Sequence, residues 1–153
     1  MSSSLEKLLS SASSPLSDHA PALTDQLRSL AGSLADNLLI MLRERNGFYA
    51  LESALHVFPS HSSQQGIGLN EWNESDLWRA EYKGMADGCL FFAEDVFGGQ
   101  FCIKSSKVYT FDPETGALEY LADDIEGWAK AIVRDYEVLT GYQLAHQWQK
   151  QRG

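Results

Sequence analysis

Between Cys89 and Leu121 the chain reads as four short apolar runs parted by turn signals, and no other stretch limits the fold so closely. Cys89–Asp95 is followed by Phe97-Gly98-Gly99 and then by Gln100–Lys104, the pattern of a hairpin. Ser105-Ser106 makes a second tight connection, into Val108–Phe111. Asp112-Pro113-Glu114-Thr115-Gly116 makes the third, because Pro113 presets φ and Gly116 tolerates the exit geometry before Ala117–Leu121. Strands joined this tightly must pair antiparallel with their neighbours. The flanks on both sides read as helices, so the pattern predicts an α+β fold. It is a single domain, a twisted antiparallel sheet of about four or more strands flanked by N- and C-terminal helices.

The flanks carry a different period. Leu27, Leu30, Ala31, Leu34, Leu38, Met41 and Leu42 recur at steps of three and four, one stripe of a helix. Thr24 is the N-cap with Asp25 in the first turn, Arg43 and Arg45 suit the C-terminal dipole, and Asn46-Gly47 is the stop. Gly32 weakens the middle, which divides the segment into two helices end to end. Phe48–Phe58 is apolar without a clean period, and residues 60–68 form a polar loop. Asn70–Met85 reads as a helix with Trp78, Tyr82 and Met85 on one side. Asp123 or Asp124 caps a closing helix marked by Ile125, Trp128, Ile132, Asp135, Tyr136 and Leu139. Gly141 ends it, and Tyr142–Gln149 adds a last short helix. Residues 1–22 hold eight serines, Pro15 and Pro21 around one apolar patch of Leu5, Leu8 and Leu9. They read as a loose arm with one or two helical turns, leaving 23–153 as the domain.

Charge narrows the function classes. The chain has 21 acidic and 12 basic residues, a formal net charge of −9. Binding to nucleic acid or to anionic lipid needs Lys and Arg facing phosphates, so the sign is wrong for either. The imbalance is concentrated: residues 46–100 hold eight acids against Arg79 and Lys83 alone. No run approaches the ~18 apolar residues of a membrane span, and the start MSSSLEKLLSSASSP lacks the basic and apolar regions of a secretory signal. Two cysteines do not make a disulfide framework, so a reducing cytoplasm is the expected location.

Several motifs are weak on inspection. Gly66-Ile67-Gly68 lacks the third glycine of a dinucleotide fingerprint, since Glu71 stands there. Of His19, His56, His61 and His146 only His56 and His61 are near each other, and no third metal ligand clusters with them. A two-residue turn at 97–98 would set Cys102 opposite Ala93, four positions from Cys89. That is about 13 Å at ~3.3 Å per residue, against a Cα limit of ~7 Å for a disulfide. Both are therefore expected as buried thiols. Glu94-Asp95 sits at a strand end beside a glycine turn, a place where catalytic carboxylates occur. An enzyme built on Glu94 or Asp95 with His56 is the rival reading, and it requires those groups to converge.

The acidic helix points elsewhere. Glu71, Glu74, Asp76 and Glu81 surround Trp72 and Trp78, with Asp87 just beyond. Acids around an aromatic anchor suit a cationic protein surface, because complementary fields speed encounter and aromatics carry binding energy. Glu71, Glu74, Asp76, Glu81 and Asp87 are the candidate steering and rim residues, and Trp72 the candidate anchor.

The order of Asn46-Gly47, Trp72–Tyr82, FFAEDVFGGQFCI at 91–103, VYTFD at 108–112 and DIEGWAKAI at 124–132 resembles the SUKH superfamily. That group includes the Smi/Knr-type cell-wall-regulator-like domains and many bacterial immunity proteins, and the likeness covers residues 34–140. Leu34-Ala35 stands where the family usually has Leu-Pro, and Phe48 where a second glycine often follows Asn-Gly. The resemblance implies a non-enzymatic α+β domain that works by binding proteins, many members covering a toxin domain such as a nuclease. It brings no catalytic residues, no metal and no cofactor. The expectation is thus a cytoplasmic protein-binding domain with a basic partner, the alternatives being a scaffold of Smi/Knr type and a hydrolase using Glu94 or Asp95.

Overall fold

The computed structural model describes residues 4–51, 55–62, 68–74, 88–95, 99–112 and 114–139, with the backbone alone for Glu74 and residues 135–139. The elements run α1 Ser4–Ser10, α2 Asp25–Ala31, a 3-10 turn Gly32–Leu34, α3 Ala35–Glu44, β1 Phe48–Ala50, β2 Leu55–Val57 and α4 Leu69–Glu74. They continue with β3 Leu90–Asp95, β4 Gln100–Lys104, β5 Lys107–Phe111, β6 Leu118–Ala122 and α5 Ile125–Leu139. The six strands pair in chain order, β1 to β6, each antiparallel to the next. The expected α+β domain with helices at both ends is present.

The long apolar stripe breaks where glycine allows it. Thr24 Oγ1 accepts the Leu27 N–H at 3.2 Å and caps α2. Gly32 takes φ +58°, the left-handed region that favours glycine, and α3 starts afresh after the 3-10 turn. Leu38, Leu39, Met41 and Leu42 of α3 are then buried in the main core. Gly47 (φ +79°) ends this unit, and a Cβ there would lie 2.5 Å from the Pro59 nitrogen, so the stop is also a close backbone approach.

The sheet is covered at its centre on both faces, which is why β3 reads as an unbroken apolar run rather than an alternating one. Phe48, Leu55, Val57, Phe92, Phe101, Ile103 and Val108 join Leu27, Leu38, Met41, Ile125, Trp128 and Ile132 of the helices in the main core. Cys89, Phe91, Cys102 and Phe111 form a smaller cluster, with Trp72, Tyr109 and Leu118 against it. Two bulges bend the sheet, one at Phe92 between the pairs Phe91↔Cys102 and Ala93↔Phe101, the other at Leu121.

Three expectations change. Phe48–Phe58 holds a hairpin, β1 and β2, that its lack of a sustained period concealed; three-residue strands alternate only once. The β3–β4 connection is longer than a two-residue turn, with Glu94↔Gln100 as its last pair, and the bulge at Phe92 shifts the register once more, so Cys102 lies opposite Phe91 rather than Ala93. Both cysteines are nevertheless buried thiols, not joined in a disulfide. The arm is not loose over residues 4–20. Leu8 is fully buried in the main core, the Glu126 carboxylate accepts the Ser4 and Leu5 N–H groups at 2.7 and 3.2 Å, and α1 lies on α5. Ser13, Leu16 and Ser17 then donate backbone hydrogen bonds to the carbonyls of Tyr49, Gly47 and Asn46. Unpaired backbone on an edge strand costs free energy when covered without partners, and here the serine-rich strap supplies them.

Candidate functional site

The acidic helix begins as expected but only its first part lies within the described residues. Asp76, Glu81 and Asp87 fall outside them, and of Glu74 only the backbone is described. Glu71 is half-buried and its carboxylate accepts the Ser62 N–H, which ties α4 to the preceding loop. Trp72 is half-buried too. Its ring lies 5.8 Å from Phe58, its Nε1 donates to Gln100 Oε1 at 3.3 Å, and it packs against both clusters. An indole placed so clamps α4 onto the sheet. Asn73 fastens the same helix: its side chain bonds both the N–H and the carbonyl of Phe91, at 2.7 and 2.8 Å.

The rival catalytic residues converge in part. The β1–β2 and β2–β3 registers set Tyr49, His56 and Glu94 side by side on three neighbouring strands. His56 Nδ1 is 3.0 Å from Glu94 Oε1. Tyr49 stacks on one face of the imidazole at 4.5 Å, and Phe58 meets it edge-on at 4.9 Å. The His56 side chain is 13% exposed and that of Glu94 35%. His56 Nε2, the end that would act on a substrate, is buried and has no hydrogen-bond partner among the described residues. Asp95 does other work: its carboxylate and N–H bond the N–H and carbonyl of Gly99, at 3.0 and 2.8 Å, and close the β3–β4 turn. Sequence reasoning named His56 and Glu94 but missed Tyr49, because the hairpin that aligns it was not read. The signal was Phe-Tyr-Ala facing Leu-His-Val, apolar residues flanking one polar ring on each arm.

A cleft of about 530 Å³ lies between residues 15–21 and the end of α3, where Asp18, His19, Arg43 and Arg45 line it. Its charges are mixed, and neither His56 nor Glu94 reaches it. Among the described residues no three His, Cys, Asp or Glu side chains gather as a metal site, and no helix is long and apolar enough to cross a membrane.

At the far edge of the sheet a third group forms. Tyr120 is 55% exposed. Its hydroxyl donates to Asp123 Oδ1 at 2.6 Å, and Lys107 Nζ donates to the same oxygen at 3.1 Å. The hydrogen bond to Asp123 raises the Tyr120 phenol above its ordinary 10.0. The same bond, with Lys107 behind it, holds the Asp123 carboxyl below 3.8. Elsewhere on the surface Asp18, Asp25, Glu44, Glu114 and Glu119 are exposed and enter no ion pair among the described residues.

No family model matches the chain, and no curated protein or solved structure matches it either.

Proposed function

We propose that this chain is a non-enzymatic binding domain that docks onto a cationic partner protein in the cytoplasm and acts by covering it. The reading is that of an immunity-type protein, as the SUKH resemblance implies, with a toxin such as a basic nuclease as the partner. The observation that carries it is the set of exposed carboxylates, Asp18, Asp25, Glu44, Glu114 and Glu119, that enter no ion pair among the described residues on a chain of net charge −9. Like charges left without counterions destabilise the isolated fold slightly, and an oppositely charged surface relieves them while it steers encounter. The test uses the triple variant Glu71→Lys, Glu74→Lys and Glu81→Lys against a partner co-purified from the native cell. Affinity is expected to fall about tenfold or more, with a flatter salt dependence. Unchanged affinity and unchanged salt dependence would remove that face from the assignment. A tight one-to-one complex supports the antidote role, whereas many partners of micromolar affinity favour a scaffold of Smi/Knr type.

A second reading rests on the 3.0 Å contact of His56 with Glu94. A carboxylate on Nδ1 is how hydrolases orient a catalytic imidazole. Here, however, Tyr49 stacks on the ring, Phe58 packs against it edge-on and Nε2 is sealed from water, so the arrangement supports packing of the β1–β2–β3 corner better than proton transfer. Turnover of an ester or phosphoester substrate that disappears in His56→Gln, with the fold retained, would reverse that preference.

A further inference from the structure

The two edges of the sheet are treated differently. The outer edge of β1 is covered by the chain's own strap, whose Ser13 bonds both the carbonyl and the N–H of Tyr49 while Leu16 and Ser17 bond Gly47 and Asn46 just before the strand. The outer edge of β6 pairs with nothing among the described residues. The Asp112 N–H bonds the Ala117 carbonyl at 3.0 Å, so in antiparallel alternation Glu119 faces Thr110 as a bonded pair. Leu118 and Tyr120 therefore turn their N–H and carbonyl groups outward, as a template for another strand.

The surroundings select what that strand would be. From Asp112 to Glu126 the sequence holds six acids and no Lys or Arg. Glu119 lies on the strand itself, exposed and without an ion pair. Pairing with a second copy of β6 would set the two Glu119 carboxylates and their neighbours against each other, which like-charge repulsion opposes. A segment rich in Lys or Arg meets the opposite field. Tyr120 adds an anchor: it stands beside Tyr109 at 6.2 Å, and its hydroxyl is held by Asp123, which is held by Lys107. A ring fixed before binding loses little freedom when a guest side chain packs across it.

From these observations we infer that β6 is the docking edge for an extended cationic segment of the partner protein, which joins the sheet as a seventh strand across Tyr120. The inference rests on the docking function proposed above and places its contact on a different surface from Glu71 and Trp72. Backbone hydrogen bonds to Leu118 and Tyr120 supply affinity, and Glu114 and Glu119 select charge.

The test uses the full chain and an octapeptide of alternating valine and lysine. Two controls accompany it: the same peptide N-methylated on alternate amides, and a valine–glutamate peptide. Amide NMR shifts are expected to map to Leu118–Leu121, and N-methylation, which keeps every charge, is expected to weaken binding about tenfold. The acidic peptide is expected not to bind. Tyr120→Ser and Glu119→Lys, both at exposed positions, should each weaken the lysine peptide about fivefold or more. Equal binding of the methylated and unmethylated peptides would overturn the inference, since charge alone would then suffice. So would shifts confined to α4, or a dimer of the free chain that Glu119→Lys abolishes. If the peptide ignores β6 while the Glu71, Glu74 and Glu81 reversals still weaken a captured partner, the edge falls and the docking function stands. If charge reversal at both places leaves that partner's affinity unchanged, both fall.

Discussion

Asn46, Asn70 and Asn73 are all buried, and each replaces a backbone pairing that the chain could not otherwise make. Asn46 Oδ1 accepts the Ser60 N–H at 2.9 Å while its Nδ2 donates to the His19 carbonyl at 2.9 Å, joining three segments at the helix stop. Asn70 accepts from the Thr24 N–H at 3.2 Å and donates to the Ala22 and Ser60 carbonyls. Asn73 serves Phe91, next to the bulge at Phe92. Asn73→Ala would leave a buried N–H and a buried carbonyl unsatisfied, at about 1–3 kcal/mol for each group. Urea denaturation should therefore register a loss of roughly 2–6 kcal/mol, and a loss under about 0.5 kcal/mol, the usual range of a surface change, would show that water replaces the amide. Asp123 belongs to the same scale. Because its folded carboxyl titrates below 3.8, the stability it contributes is present above that value and fades as pH falls through the lower folded one. Tyr120 works with the opposite sign, its contribution present below 10.0 and lost as pH rises through its higher folded value. Carboxyl-carbon NMR of Tyr120→Phe should show Asp123 titrating higher than in the parent chain, since the hydroxyl is the largest cause of its depression.

At the scale of elements, the N-terminal strap is the least expected part. Leu8 is fully buried where α1 meets the core, so Leu8→Ala should cost about 2–4 kcal/mol in a denaturant titration. A truly loose arm would give almost none. The serine content of residues 1–22 concealed this, because composition reports the segment's outer side, whereas three leucines and a row of backbone N–H groups do the docking. Other elements were legible for stateable reasons. The β3–β6 meander was readable because Gly98-Gly99, Ser105-Ser106 and Asp112–Gly116 mark its turns locally. Thr24 as N-cap, Gly32 as a break and Gly47 as a stop were equally local. Register was not. The bulge at Phe92 adjoins Phe91, whose N–H and carbonyl are bonded by Asn73, 18 residues from Phe91 and met only in the folded chain. For the same reason the His56–Glu94 contact, across 38 residues, could be named as a condition but not read from spacing. Glu71 and Trp72 were readable as an acid and an aromatic on one helix, yet nothing local says that Ser62 and Gln100 occupy their polar atoms.

At the scale of the whole molecule, charge and sheet topology meet in one measurable consequence. A net charge of −9 on 153 residues produces a field that reaches beyond any single contact, and the Debye length decides how far. At about 0.01 M salt that length is ~30 Å, comparable to the whole domain; near 1 M it shrinks to ~3 Å, less than one strand spacing. Steering by the field therefore vanishes over this range, while backbone bonds along an edge strand and the packing around Tyr120 remain. The association rate with a captured cationic partner should fall about tenfold or more between those salts, and the dissociation rate should change far less. Stopped-flow or surface-based kinetics separate the two. Neutralising Glu114 and Glu119 together should lower the salt slope of association without touching the fold, because both are exposed and unpaired. A salt effect carried wholly by dissociation would mean that the charges act only after contact, as buried partners would. A partner whose association ignores salt altogether would not be selected by the acidity of this surface, and the proposed cationic partner would be excluded with it.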